Sequence, residues 1–403
     1  MRRTPSHDRA ARERAAVSGV RAIAVRAVWI AVGVGLLTAC TPEAVTPPSS
    51  VAPSPFPPPN PSATAPVEPP PVLLPAGEPE VLASGLEAPW SILRVPGGGV
   101  LVSERDTGRI VEVLDDGSLR VAGEVAGVVA GGEGGLLGIA YRPSTGAREP
   151  FVYAYHTAAS DNRIVRMSLR GVPGAFELGA AEPILTGIPR AGNHNGGRLA
   201  FGPDGFLYAT SGDAGDRDAA QDPASLSGKI LRMTPEGGPA PGNPFDNLTW
   251  SLGHRNPQGI AWDAAGGMWA AEFGQNTWDE LNRIEPGANY GWPVVEGAAD
   301  DPRFVNPVMQ WPTSEASPSG LAIVGDTLFL AALRGERIWS VAPATAGGEL
   351  TTTEWFPREL GRIRDVTAGP DGMLWFIGNN TDGRGSPREG DDRLFRVQLD
   401  AVG

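Results

Sequence analysis

Pro203-Asp204-Gly205-Phe206-Leu207-Tyr208 and Pro370-Asp371-Gly372-Met373-Leu374-Trp375 are two copies of one phrase: a Pro/Asp/Gly turn, then a strand of alternating apolar residues. Glycine takes the positive-φ position of such a turn without steric cost, so the phrase marks a hairpin. Working outward from it, the same phrase returns as Pro96-Gly97-Gly98-Gly99-Val100-Leu101-Val102, Asp263-Ala264-Ala265-Gly266-Gly267-Met268-Trp269 and Gly325-Asp326-Thr327-Leu328-Phe329-Leu330. Pro150-Phe151-Val152-Tyr153-Ala154-Tyr155 fills the remaining gap. Partner strands follow, among them Arg109-Ile110-Val111-Glu112-Val113-Leu114, Arg163-Ile164-Val165-Arg166-Met167 and Arg337-Ile338-Trp339-Ser340-Val341.

The copies recur at intervals of about 45–60 residues, the length of a four-stranded blade, and no segment carries a long helical period. The expected fold is all-β: a six-bladed β-propeller of four-stranded antiparallel blades over residues 80–403. Arg393-Leu394-Phe395-Arg396-Val397 is expected to close the ring by pairing with the strand around Glu80-Val81-Leu82. A pair of β-sandwiches is the alternative. Ligand sites of propellers gather at the central channel, but fold alone does not give function.

Residues 1–40 read as a targeting segment. Arg2, Arg3, Arg21 and Arg26 make a basic start, and the uncharged run Ala27 to Ala39 is shorter than the roughly 20 residues that cross a bilayer. Leu37-Thr38-Ala39-Cys40 matches the pattern of a bacterial lipoprotein cleavage site, in which Cys40 takes the lipid. An ordinary secretory signal is the alternative. Cys40 is the single cysteine, which leaves no internal disulfide and no cysteine metal site. The expected protein is therefore exported and anchored to the extracytoplasmic side of the cell membrane. Residues 41–79 carry fifteen of the 40 prolines and read as an extended linker. Beyond residue 40 the chain has 26 basic and 44 acidic residues, a formal charge of −18, which speaks against a nucleic-acid partner.

Three histidines lie in the folded stretch: His156, His194 and His254. His194, in Gly192-Asn193-His194-Asn195-Gly196-Gly197-Arg198-Leu199, is a candidate general base, its glycines allowing close approach of a ligand. A structural, hydrogen-bonded histidine is the other reading. Arg255 and Asn256, in Gly253-His254-Arg255-Asn256-Pro257-Gln258-Gly259, can meet an anionic or carbonyl-rich ligand, or can simply cap a blade edge. Arg362 and Arg364 share one strand face and need an anion or an acid such as Asp365. Glu272-Phe273-Gly274-Gln275-Asn276-Thr277-Trp278-Asp279-Glu280 mixes carboxylates with glycine backbone, as a calcium loop does, and Asp213, Asp216 and Asp218 form a second acidic loop. Trp250, Trp278 and Trp311 can line a sugar site or pack between blades.

Taken together, these motifs resemble the PQQ-dependent glucose/sorbosone dehydrogenases of the soluble aldose sugar dehydrogenase type. The resemblance runs through His194 with its Gly-Gly-Arg-Leu, Gly202-Pro203-Asp204-Gly205, Ser211-Gly212-Asp213, the Gly253–Gly259 segment, Asn289-Tyr290-Gly291-Trp292-Pro293 and Arg362-Ile363-Arg364-Asp365. It implies pyrroloquinoline quinone (PQQ) and Ca²⁺ in the channel, an aldose sugar as substrate, oxidation at the anomeric carbon to a lactone, and an external electron acceptor. It implies that His194 takes the proton and that Arg255 stabilises charge on the quinone. Asn256, Arg362 and Arg364 would bind the cofactor. The carbonyls of Gly274 and Gln275 would ligate its calcium, and Asp279, Glu280 and the Tyr290 carbonyl a second one. Three positions depart from the family pattern: Glu133 stands for a cofactor-binding glutamine, Asn193 for an acid before the histidine, and Arg334 for a cofactor-binding lysine. A propeller that binds without turnover, or a calcium-dependent lactonase, are the other functions this scaffold allows.

Overall fold

A computed structural model describes residues 71–146, 149–343 and 349–402. Six antiparallel sheets follow one another along the chain, each running from an inner strand outward. The inner strands are Pro89–Val95, Leu136–Arg142, Leu199–Phe201, Pro257–Trp262, Pro318–Val324 and Ile363–Ala368, and each packs on the next around a central channel. This is the six-bladed β-propeller expected from the repeat. Every copy of the repeated phrase leads into the second strand of a blade: Gly99–Glu104, Phe151–Thr157, Leu207–Ser211, Met268–Glu272, Thr327–Ala332 and Leu374–Gly378. The second blade adds a short strand, Glu177–Leu178, and a 3-10 turn, Asp218–Gln221, interrupts the third.

The period-2 geometry of these strands explains the core. Leu207 and Ala209 enter the cluster between blades two and three, while Tyr208 between them enters the one between three and four. Leu374 and Phe376 face blade five, and Trp375 and Ile377 face blade one. Six apolar clusters result, one between each pair of neighbouring blades. Alternation here selects the neighbour, not water against core, so the second strands are buried on both faces.

The ring closes as expected, with Glu80 opposite Arg396 and Val81 opposite Phe395. The closing strand is longer than anticipated, however. It spans Val72–Ser84, so residues 72–79, assigned to the linker from sequence, belong to the sixth blade. Pro75 and Pro79 concealed it, but an outermost strand tolerates proline because its outward N–H has no ladder partner to lose. Cys40 and the targeting segment lie outside the described residues.

Candidate active site

Loops and inner-strand residues of the second, fourth, fifth and sixth blades hold a cavity of about 200 Å³ at the channel. Its lining includes Glu133, Gln258, Phe273, Arg334, Arg362, Arg364 and Arg384. Four guanidinium groups against one carboxylate make this a cationic chamber. Arg362 donates to Asp382 at 3.0 Å, and Arg364 lies 3.6 Å from the same carboxylate. Asp382 therefore answers the paired arginines, and Asp365, considered from sequence, instead meets Arg198 at 3.0 Å. Arg364 also donates to Asn379 and Gln258, at 2.9 and 3.1 Å. Burial lowers it to about 9, still well above neutral pH, so it stays a cation. Beneath the pair, Trp90 offers its ring to Arg198 at 4.3 Å and to Arg364 at 5.9 Å. Arg334 is exposed at the rim and has no hydrogen bond or ion pair among the described residues.

His194 stands beside this chamber. Its Nδ1 lies 2.8 Å from Asp213 Oδ1, and Nε2 has no protein partner among the described residues. A carboxylate on Nδ1 holds that nitrogen protonated and leaves Nε2 a free lone pair, the arrangement a general base needs. His194 takes φ 54°, a left-handed conformation uncommon for a side-chain-bearing residue. The fold holds it there from both sides: its N–H donates to Glu133 Oε2 at 2.8 Å, and its carbonyl accepts from the Ala214 N–H at 3.1 Å. Gly212 permits this packing, since a Cβ there would lie 2.0 Å from the His194 carbonyl oxygen. Burial alone would raise the Asp213 carboxyl, but the His194 ring, the Gly215 amide and the Trp292 indole outweigh it and hold it below the ordinary value.

Glu133 has two tasks, the His194 amide and an ion pair with Arg384 at 3.1 Å. Asn256 receives the Gly196 N–H at 3.0 Å through Oδ1, while its buried Nδ2 has no partner. Arg255 Nε and Arg362 Nε are likewise buried and unpartnered. Burial also lowers Arg255.

Several sequence expectations need correction. His254, given no role from sequence, is fully buried, with Nδ1 2.7 Å from Glu272 and Nε2 2.8 Å from Ser251, and it stacks on Tyr290. His156 is buried too, and burial lowers it. Gly196 and Gly197 approach neighbouring backbone at Thr210 and side chain at Leu137; neither lines the chamber. Of the acidic loop, only Asp213 is buried, on His194 and Trp292, while Asp216 and Asp218 are exposed. Trp311 packs between blades, Trp250 meets Tyr208 edge-on, and Trp278 lies in a fourth-blade strand without lining the chamber.

The carbonyl of Gly274 accepts from Arg255, which leaves its second lone pair open. Gln275 donates its N–H to Glu296, which also receives the amides of Asn276, Thr277 and Trp278. Asp279 and Glu280 do not converge, because successive strand residues point to opposite faces. Asp279 braces the backbone amides of Gly274 and Ser317, and burial raises it to about 6. Glu280 turns inward to meet Glu272 and Tyr290 around a space of about 10 Å³. Burial first, and then the Glu272 charge, push Glu280 up to about 8. Among the described residues no group of three or more carboxylate, imidazole or thiol side chains is arranged as a metal site.

Asp382 and Arg384 were not singled out from sequence, and Asp213, Glu272 and Trp292 appeared there only within motifs, without the contacts they make here. Asp213 reaches His194 from nineteen positions away, across a strand, and neither the acidic loop nor Ser211-Gly212-Asp213 indicated that pairing.

A cationic chamber with an aligned histidine beside it, on a six-bladed propeller, defines a quinoprotein-like sugar dehydrogenase architecture. The glucose/sorbosone dehydrogenase family model matches residues 86–387, and the chain belongs to that family. Among solved structures it is similar to the PQQ-bound aldose sugar dehydrogenase of Streptomyces coelicolor, with 47% identity and a TM-score of 0.75, covering 81% of this chain and 100% of that one. It is 29% identical to the aldose sugar dehydrogenase YliI of Escherichia coli strain K12, over 75% of this chain and 90% of the relative. It is 32% identical to quinoprotein glucose dehydrogenase B of Acinetobacter calcoaceticus, over 55% and 53% of the two chains.

Proposed function

We propose that this protein oxidises aldose sugars at the anomeric carbon to lactones, with PQQ as redox cofactor and Ca²⁺ bound. The observation that carries the reading is the pairing of a base with a polyanion cradle: His194, aligned by Asp213, beside a chamber of four arginines. A simple binder needs no aligned base, and a hydrolase needs no such excess of guanidinium. The residues fit the cofactor, since three buried donors, on Arg255, Asn256 and Arg362, have no partner in the protein. Such donors suit a ligand rich in carboxylates and carbonyls.

Arg334, Arg362 and Arg384 would hold the carboxylates, and Asn256 and Arg255 the quinone oxygens. When bound, PQQ supplies the two-electron acceptor that no side chain here provides. The Arg255 guanidinium would stabilise negative charge on a bound quinone, an electrostatic role of the oxyanion-hole kind. His194 Nε2 accepts the hydroxyl proton of the sugar, and Asp213 stabilises the imidazolium formed. For calcium, Glu272, Glu280 and the Tyr290 backbone make a hard-oxygen set around an ion-sized space. A calcium at Gly274 and Gln275 would use the lone pair of the Gly274 carbonyl that Arg255 leaves open. Export and lipid attachment at Cys40 form part of this proposal. Mass spectrometry of the mature N-terminus checks them, an acylated Cys40 supporting the anchor and an unmodified one removing it.

The test of the enzyme reading is reduction of bound cofactor. The unloaded chain is titrated with PQQ and Ca²⁺, separated from free PQQ, and mixed anaerobically with glucose. Retained quinone absorbance that bleaches on addition of sugar supports the reading. Retention without bleaching leaves a binding propeller, and failure to retain PQQ removes the cofactor assignment.

A further inference from the structure

The base and the arginine of the site share one neighbour outside the chamber. Trp292, buried, donates its indole N–H to Asp213 Oδ2 at 2.9 Å. The other oxygen of that carboxylate holds His194 Nδ1 and the Gly215 N–H, both at 2.8 Å. The face of the same indole carries guanidinium groups, Arg255 at 5.4 Å and Arg217 at 4.4 Å from the ring centroid. The Trp292 backbone is itself fixed, its carbonyl accepting from Gln221 at 2.6 Å and its amide N–H donating to the Gly253 carbonyl at 2.9 Å. His194, Asp213, Trp292 and Arg255 thus form one continuous chain of contacts. Without the indole, Asp213 Oδ2 would lose its one side-chain donor, and the carboxylate would be held through Oδ1 alone.

We propose that Trp292 is a positioning residue that couples the two working groups of the site. Its N–H fixes the carboxylate that aligns His194, and its ring locates the Arg255 guanidinium. The inference rests on the dehydrogenase reading for its kinetic consequence, but not for its structural one. A charge-assisted hydrogen bond steadies the carboxylate, and cation–π contact in a half-buried site favours one position of the guanidinium over others.

Trp292→Phe retains the aromatic face over Arg255 and removes only the donor. In the PQQ- and Ca²⁺-loaded full chain, kcat for glucose should fall about 10-fold, the loss of one hydrogen bond to a charged group, with KM little changed. In an Asp213→Asn background the same substitution should cost no more than about 2-fold, because the group through which it acts has gone. Equal losses in both backgrounds would show that Trp292 only packs, and no loss in the first would show that its N–H is idle. A second readout needs no cofactor. The chain has eleven tryptophans, and the indole signal missing from the NMR spectrum of Trp292→Phe identifies Trp292 in the unloaded wild type. That signal should move in both Asp213→Asn and His194→Ala; its staying in place in both overturns the coupling. If the wild type oxidises no sugar, the dehydrogenase reading fails, and the indole shift still decides the coupling. Should Trp292→Phe not fold, Trp292→Tyr assigns the signal in its place.

Discussion

Asp213→Asn removes a charge and almost no volume, and its effect can be worked from the contacts. The carboxylate is fully buried and receives three donors: His194 Nδ1–H, the Gly215 N–H and the Trp292 indole. An asparagine offers one oxygen and one NH₂. If the oxygen faces His194, the NH₂ opposes the indole N–H, donor against donor. If it faces Trp292, the NH₂ opposes His194 and favours the tautomer protonated at Nε2, which cannot act as a base. Either way the imidazolium formed during turnover loses the negative charge 2.8 Å away. Asp-to-Asn replacement behind a catalytic histidine costs up to ~10⁴ in kcat in the serine-protease precedent. General-base catalysis as a whole contributes about 10²–10⁴, so kcat should fall by that factor, roughly 3–5 kcal/mol of barrier. One unsatisfied buried donor also costs about 1–3 kcal/mol of stability, or ~2–4 °C in Tm for each kcal/mol in a domain of this size. Dye-linked glucose oxidation by the loaded full chain, with Tm measured alongside, is the assay. A fall of less than about 5-fold in a folded variant would refute the alignment argument, since it is far below what loss of a working base entails.

Other consequences follow from the same geometry. Glu133→Gln keeps an acceptor for the His194 amide but removes the one acid of the arginine chamber, so PQQ should bind about 2–5-fold more tightly, by fluorescence titration of the unloaded chain. Arg364→Met leaves Gln258 and Asn379 short of a donor and weakens the Asp382 pair, which should cost about 3 kcal/mol in denaturant unfolding and abolish PQQ retention. Glu280 is raised to about 8 from an ordinary 4.5, so the stability tied to its protonated form is complete below about 4.5 and lost as pH rises through 8. The calcium-free chain should therefore have a lower Tm at pH 8.5 than at pH 6, beyond the change seen in Glu280→Gln, and added Ca²⁺ should reverse the loss.

The repeated turn-and-strand phrase made the fold readable because each copy begins the second strand of a blade, where burial on both faces demands an unbroken apolar run. Closure was equally readable from Glu80–Leu82 and Arg393–Val397. The strand boundary at Val72 was hidden because proline is harmless on an outermost strand. In the site, Arg362, Arg364, His194 and Arg255 stood out because charge and imidazole are conspicuous in a glycine-rich chain. The pairings did not: Asp213 and Asp382 lie one strand hairpin away within the same blades as His194 and the paired arginines, and Trp292 reaches in from the neighbouring blade. His254 carried no assignment from sequence, and in space Glu272 and Ser251 occupy both ring nitrogens while Tyr290 covers one face.

The central claim is that an aligned His194 beside an arginine cradle makes a quinone-dependent sugar dehydrogenase. It is tested most directly by dye-linked oxidation of glucose and other aldoses by the purified protein, with and without added PQQ and Ca²⁺, in the wild type and in His194→Ala. Activity that requires both additions and collapses in His194→Ala is the predicted result. Cofactor-independent activity, or full activity in His194→Ala, would contradict the account.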